Sequence, residues 1–371
     1  MIDMLMRWIA ALAAFVIVIV IGMVSIGNFG TGIDPDNFFD TEGANSFALI
    51  GAIALVVAFV VYAAVEYAQT SSFASIARQF DTRTIVLIPI AVAINIILGA
   101  TVANALKIPI YLDSIGTILV GVLAGPVAGA LTGFLSNILW TYVIPPPFQN
   151  GPAAAFGIVA VVIGVLAGLI GRAGWLRPRP NRPMAQLGIG AIITVAVILG
   201  MAWLAYLGWT SEAFGGTVNL DVAGSDAIFT VLGWLVLVLV AGTVVGLLAV
   251  LFIRRDLTAA YVVVAGLGTG IIAALISAPI SANVFSGVTG GGTDFLVAAL
   301  RQAGADIGAA TLGQGLISDP IDKITTFFVV YLILAAMARR TIARFPQGER
   351  LLEKGSEGDG SEDVEWRGAT S

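Results

Sequence analysis

Apolar runs separated by short polar breaks set the frame of the chain. They fall at about 8–27, 46–68, 84–105, 108–124, 126–144, 152–171, 184–208, 227–253, 258–280 and 321–338. An α-helix needs about 20 mostly apolar residues to cross hydrocarbon, and most of these runs come close to that length. None shows the ten-residue alternation of a membrane β-barrel strand. The pattern predicts an all-α fold, a polytopic transmembrane helical bundle of about ten membrane helices.

The basic residues then set orientation, because Lys and Arg concentrate in cytoplasmic loops. With Arg7 placed inside, Arg78 and Arg83 fall inside as well. So do Arg172, Arg177, Arg179 and Arg182, the pair Arg254 and Arg255, and the group Arg339, Arg340 and Arg344. The acidic loops (Asp34, Asp36, Asp40, Glu42; Glu212, Asp221, Asp226) fall outside, and both termini are expected in the cytoplasm. Only Lys107 and Arg301 land outside. This parity requires a break within 108–144. A single helix there would be about 55 Å long, and it would move the Arg172–Arg182 cluster across the membrane. Two helices with a turn at Gly125-Pro126 satisfy both constraints.

Composition narrows the chemistry. The chain has 371 residues, of which 58% are hydrophobic and 11% charged, against roughly 25% charged in soluble domains. It has no cysteine and no histidine. That removes disulfides, thiol nucleophiles and imidazole ligands or bases, so neither a metal site nor a cofactor is expected. Acids crowd the C-terminus (Glu349, Glu353, Glu357, Asp359, Glu362, Asp363, Glu365) among Gly and Ser, which reads as a disordered tail. Three parts are expected: an N-terminal transmembrane hairpin over 1–83 with an acidic outer loop, a main bundle over 84–345, and a disordered acidic cytoplasmic tail over 346–371. Within the bundle, 184–253 reads as an inserted hairpin. The first apolar run suits a retained helix or a signal peptide.

No phosphate-binding G-x-x-x-x-G-K-[ST] loop, G-x-S-x-G elbow or H-E-x-x-H helix occurs. The chain is not its own ATPase, and nothing nominates an enzyme. What remains is a set of polar residues at membrane depth, where each is costly unless it faces a cavity or a partner. Asn95 interrupts a ridge of small residues, Ala91, Gly99 and Ala103, at four-residue steps. Such a ridge lets helices approach closely, within the chain or on a partner. Tyr111, Asp113, Ser114 and Thr117 open the helix that follows; Asp113 reads as a cap or as a ligand contact. Asn137, Trp140 and Tyr142 close the next helix, as interface anchors or as an aromatic wall. Ser277, Ser281 and Asn283 end a later helix, and a Gly-rich loop follows at 287–293. Gln314, Asp319, Asp322 and Lys323 lead into the last run, where Asp319 at i, i+4 from Lys323 suggests an ion pair on one helix face. Topology places Asp113, Asn137, Trp140, Asn283, Asp319 and Lys323 near one outer pocket. Few polar groups on an apolar and aromatic lining suit a small molecule. No nucleic-acid partner is expected.

The run K-I-P-I-Y-L-D-S-I-G-T-I (107–118), then G-V-L-A-G-P-x-x-G-A-L-x-G (121–133), a late I-S-A-P-I (276–280) and a final S-D-P-I-D-K (318–323) resemble the substrate-binding membrane subunits (S components) of energy-coupling factor vitamin transporters. The resemblance covers about 84–340. It implies capture of a vitamin or vitamin precursor from the outer side of a prokaryotic cell membrane. It also implies a transmembrane scaffold subunit and a cytoplasmic ATPase pair as partners. The candidate substrate-binding residues, read from the chain itself, are Asn95, Tyr111, Asp113, Asn137, Trp140, Asn283, Asp319 and Lys323. The ridge Ala91, Gly99 and Ala103 would dock the scaffold, although Asn95 departs from the family's alanine-rich form. Six core helices are usual in that family, and this chain has more. A membrane ligand sensor or scaffold protein without transport activity is the alternative.

Overall fold

The computed structural model describes residues 2–26, 42–105, 110–210, 242–302 and 304–352. Among these residues the secondary structure is helical and contains no strand. The first helices are α1 (Ile2–Ile26), α2 (Glu42–Thr70), the single turn α3 (Ala74–Ala77) and α4 (Thr82–Gly99), which continues as a π-helical stretch over Ala100–Ala105. Then come α5 (Ile115–Ala124), α6 (Pro126–Tyr142), a 3₁₀ segment over Gly151–Phe156, α7 (Gly157–Arg172) and α8 (Met184–Thr210). The remainder comprises α9 (Gly242–Phe252), α10 (Thr258–Phe285), α11 (Asp294–Gln302), α12 (Ile307–Ala336), α13 (Arg339–Ala343) and α14 (Gly348–Leu351). Five stretches are long and apolar enough to cross a membrane: Leu5–Ser25, Gly43–Thr70, Thr82–Val102, Gly151–Arg172 and Thr258–Phe285. The expected acidic loop over 27–41, Lys107, Glu212, Asp221, Asp226 and the tail from 353 lie outside the described residues.

The break in 108–144 falls at Gly125. This residue has φ +132°, a conformation open to glycine and rare for L side chains. Pro126 then starts α6, where its missing N–H costs nothing. The glycines on either side of the turn meet the same neighbour. A side chain on Gly121 or on Gly129 would strike the Gly164 carbonyl of α7. Packing of this kind, and not expulsion of water, holds helices together in lipid. A second close approach joins α10 to α12. Gly266 and Gly270 lie against the backbone of Ile324 and Pro320. The main core runs through α5, α7, α10 and α12 and includes Ile118, Leu123, Ile163, Val262 and Phe327. A smaller cluster seats α4 on α5 and α6 through Ile88, Ala91, Val120 and Ala128.

Two expectations change here. The helix that holds the last apolar run, α12, starts at Ile307, fourteen residues before that run (321 − 307), because Asp306 caps it by accepting from the Ala309 amide at 2.8 Å. The C-terminal part is ordered through Leu352, beyond the boundary expected at 346. The Gln347 amide donates to the Leu123 carbonyl at 2.9 Å, and Arg350 donates to the Arg172 carbonyl at 2.8 Å. This strap covers the α5–α6 turn.

The arginine-rich loops gather at the strap's end of the bundle. There Asp256, 4% exposed, accepts from the Arg179 amide at 2.8 Å, the Thr258 amide at 2.9 Å and the Tyr331 hydroxyl at 3.1 Å. The Arg179 guanidinium lies over the Tyr261 ring at 3.9 Å. One carboxylate thus ties the loop before α8 to α10 and α12. Asp256→Ala leaves three buried donor groups unmet and is expected to cost about 2–4 kcal/mol. Thermal unfolding of the purified protein in detergent checks this, and an unchanged melting temperature would mean that the loop is held by other contacts.

Candidate functional site

At the end of the bundle opposite the arginines, five elements surround one cavity. It encloses about 910 Å³ of empty space, its mouth included. The 110–114 segment, which is not helical, crosses it and brings Tyr111, Asp113 and Ser114 to the wall. Leu112 in this segment has φ +50°, an uncommon conformation for a branched apolar residue. Its amide donates to Asp322 Oδ1 at 2.8 Å, which fixes the backbone there. α6 and the connection after it contribute Asn137, Trp140 and Asn150. The 3₁₀ segment and α7 supply an apolar wall of Phe156, Val159 and Ile163. α10 presents Ala273, Ser277 and Ser281 at four-residue steps, and α12 presents Gln314, Asp319 and Lys323. The loop 286–293 lies over the mouth with Thr289 and Gly291. It is tied to the 110–114 segment by a 2.6 Å hydrogen bond between the Tyr111 hydroxyl and Thr293 Oγ1.

The charged groups are arranged asymmetrically. Lys323 Nζ donates to Ser114 Oγ at 2.8 Å and pairs with Asp322, while Asp113 Oδ1 lies 3.9 Å away. Asp322 is fully buried, and the Asp113 side chain is 27% exposed. Asp319 accepts long hydrogen bonds from Ser277 Oγ at 3.3 Å and Ser318 Oγ at 3.4 Å. The expected Asp319–Lys323 pair does not form. Ser114 and Asp322 hold the Lys323 ammonium toward the 110–114 segment, and Asp319, one turn earlier, faces the cavity. The helix N-cap position is Ser114, without a side-chain capping bond, so Asp113 is spent on the lysine and not on the helix end.

Of the residues singled out from the sequence, Tyr111, Asp113, Asn137, Trp140, Asp319 and Lys323 line the cavity. Two do not. Asn95 is 1% exposed and all its hydrogen-bonding capacity goes to the bundle. Its amide donates to Thr117 Oγ1 at 2.8 Å and Ser136 Oγ at 2.9 Å, and its carbonyl accepts from the Gly116 amide at 2.7 Å. It joins α4, α5 and α6 behind the wall. Asn283 turns back on its own helix, donating to the Pro279 carbonyl at 2.8 Å on the exposed side of α10. The ridge on α4 also faces inward. Ala91 is fully buried under Gly116, and Gly99 packs on Trp140 and Asp113. Ala91 and Gly99 therefore serve packing within the chain and offer no surface to a scaffold; the Ala103 side chain lies outside the described residues. Sequence reasoning did not place Ser114, Asn150, Ser277, Ser281 or Gln314 at the site. The serines carried a usable signal, the four-residue step that continues from Ala273.

No protein-family model, curated protein or solved structure matches the chain. Fold and site together describe a helical protein with the features of a membrane bundle. Its described residues form a polar, aromatic-walled cavity at the end away from the arginines.

Proposed function

We propose that this chain is a membrane-embedded solute-binding subunit of the S-component type, taking a small vitamin-like molecule for import powered by partner ATPases. The observation that carries the reading is the cavity. Buried polar side chains from α6, α10 and α12 converge on it with aromatic rings, at the end opposite the cluster of arginines. The positive-inside rule then gives the arginine end to the cytoplasm and the cavity to the outer face of a prokaryotic cell membrane. On this reading about ten helices span the bilayer, with both termini inside. The resemblance of 107–133, 276–280 and 318–323 to S components supports the same assignment. So does the lack of a phosphate-binding loop, since the energy source then belongs to partner subunits. Ala91 and Gly99 are internal, so the scaffold would meet another face; the exposed apolar side of α4, with Ile85, Val86, Ile90 and Ile97, is one that is free.

Purification of the tagged chain from its native membranes in mild detergent tests the proposal. The expected result is co-elution of a transmembrane scaffold with an ATPase pair. Uptake of the captured solute should stop when the ATPases lose their phosphate-binding lysines. A chain that elutes alone, or uptake that persists without ATPase activity, would overturn the transport assignment.

A further inference from the structure

We infer that the cavity takes an organic cation, a ligand with a protonated or quaternary nitrogen beside an aromatic or aliphatic body, because the buried Asp319 carboxylate faces an aromatic-walled space in which Lys323 is already paired with two other carboxylates. This inference rests on the solute-binding reading and adds the ligand's charge to it.

The charge balance carries the argument. Among the described residues, the charged side chains of the cavity lining are Asp113, Asp319 and Lys323, with Asp322 paired to the lysine behind them. Three are acids and one is a base. The lysine donates to Ser114 Oγ and Asp322, with Asp113 Oδ1 at 3.9 Å. Its charge is thus already balanced by two carboxylates and is not held in reserve for an anionic ligand. Asp319 is 6% exposed, and no basic group among the described residues comes within ion-pair distance of it. Its own partners, two serine hydroxyls at 3.3 and 3.4 Å, are long. A buried carboxylate so poorly paired is costly, and a cation in the cavity offsets that cost. An anion would instead meet the like charges of Asp113 and Asp319.

Two further observations bear on the ligand. Asn137 is 7% exposed and lines the cavity, where its amide can hydrogen-bond a polar group of the ligand. The walls add the rings of Tyr111, Trp140 and Phe156, whose faces attract cations. Among the described residues no three acidic side chains are placed to hold a metal ion together, which favours an organic cation over a bare metal ion.

The test uses the full chain in detergent and, as probe, the water-soluble small-molecule extract of the cells that produce it. The protein is equilibrated with the extract and washed, and the retained compounds are released and identified by mass spectrometry. The expected result is a retained compound with a protonated or quaternary nitrogen. Asp319→Asn, nearly identical in shape, should hold it about 10–100-fold more weakly, the value of a charged hydrogen bond, while melting like the parent protein. If that variant does not fold, Asp113→Asn, on a partly exposed side chain, takes its place with the same direction of change. A neutral or anionic retained compound would overturn the inference and leave the capture reading intact. A retained cation held equally by the folded variant would overturn it too. An empty parent protein that still unfolds cooperatively would bring down the capture reading, and the inference with it.

Discussion

Lys323→Met is expected to destabilise the protein by about 3–5 kcal/mol, the cost of breaking a buried ion pair from one side. The magnitude follows from what the lysine leaves behind. Asp322 is fully buried and holds the Leu112 amide at 2.8 Å. With the ammonium gone, it keeps that single hydrogen bond and an uncompensated charge. Asp113 loses its counter-charge in the same step, and Ser114 Oγ loses a donor. The 110–114 segment would then be freed from α12, and the cavity wall with it. Thermal unfolding in detergent measures the loss, with a fall of about 4–6 °C expected for a chain of this size. The double variant Asp322→Asn with Lys323→Met removes the orphaned charge and should recover much of the stability. A coupling energy below about 0.5 kcal/mol in that cycle would show that the two residues act independently, and the account of this wall would be wrong.

The parts of this protein that could be read in the sequence were those governed by one-dimensional rules. Apolar length gave a helical bundle, in which five described stretches are long and apolar enough to cross a membrane, and the parity of the arginines required the Gly125-Pro126 turn. The cavity residues were legible for a related reason. A carboxylate, a lysine, an amide or an indole within an apolar run stands out, and Tyr111, Asp113, Asn137, Trp140, Asp319 and Lys323 all line one space. What failed depended on rotation about the helix axis. Asn95 and Asn283 have the same chemistry as Asn137, yet Asn95 is consumed by three neighbours and Asn283 lies on the exposed side of α10. The helical step between Asp319 and Lys323 permitted a pair. The competing partners, Ser114 and Asp322, came from a segment two hundred residues away and from an adjacent side chain, and no local rule ranks them. The ridge on α4 shows the same limit. Small residues at four-residue steps announce a close helix contact, but the pattern does not say whether the contact is with the chain itself or with another protein.

Gly270→Leu is the second large effect expected, and its neighbour Gly268 makes the comparison sharp. Both lie within α10, two residues apart and so on different faces. A side chain on Gly270 would run into the backbone of Pro320 and the Asp319 carbonyl on α12, whereas one on Gly268 would meet nothing within 4 Å. Backbone cannot rotate away as a flexible side chain can, so α10 and α12 would have to separate. That contact lies at the foot of the cavity wall, beside Asp319, and Ser277 of α10 reaches that carboxylate across the same interface. Overpacking in a close-packed interior costs about 1–3 kcal/mol, and a clash with backbone should reach the upper end of that range or exceed it. Gly268→Leu introduces the same residue into the same helix without the clash, and even gains helix propensity of up to about 1 kcal/mol. The expected outcome is a clear fall in melting temperature and loss of solute retention for Gly270→Leu, with neither change for Gly268→Leu. Equal behaviour of the two variants would mean that α10 and α12 are not held at the distance described, and the position of Asp319 in the cavity would have to be redrawn.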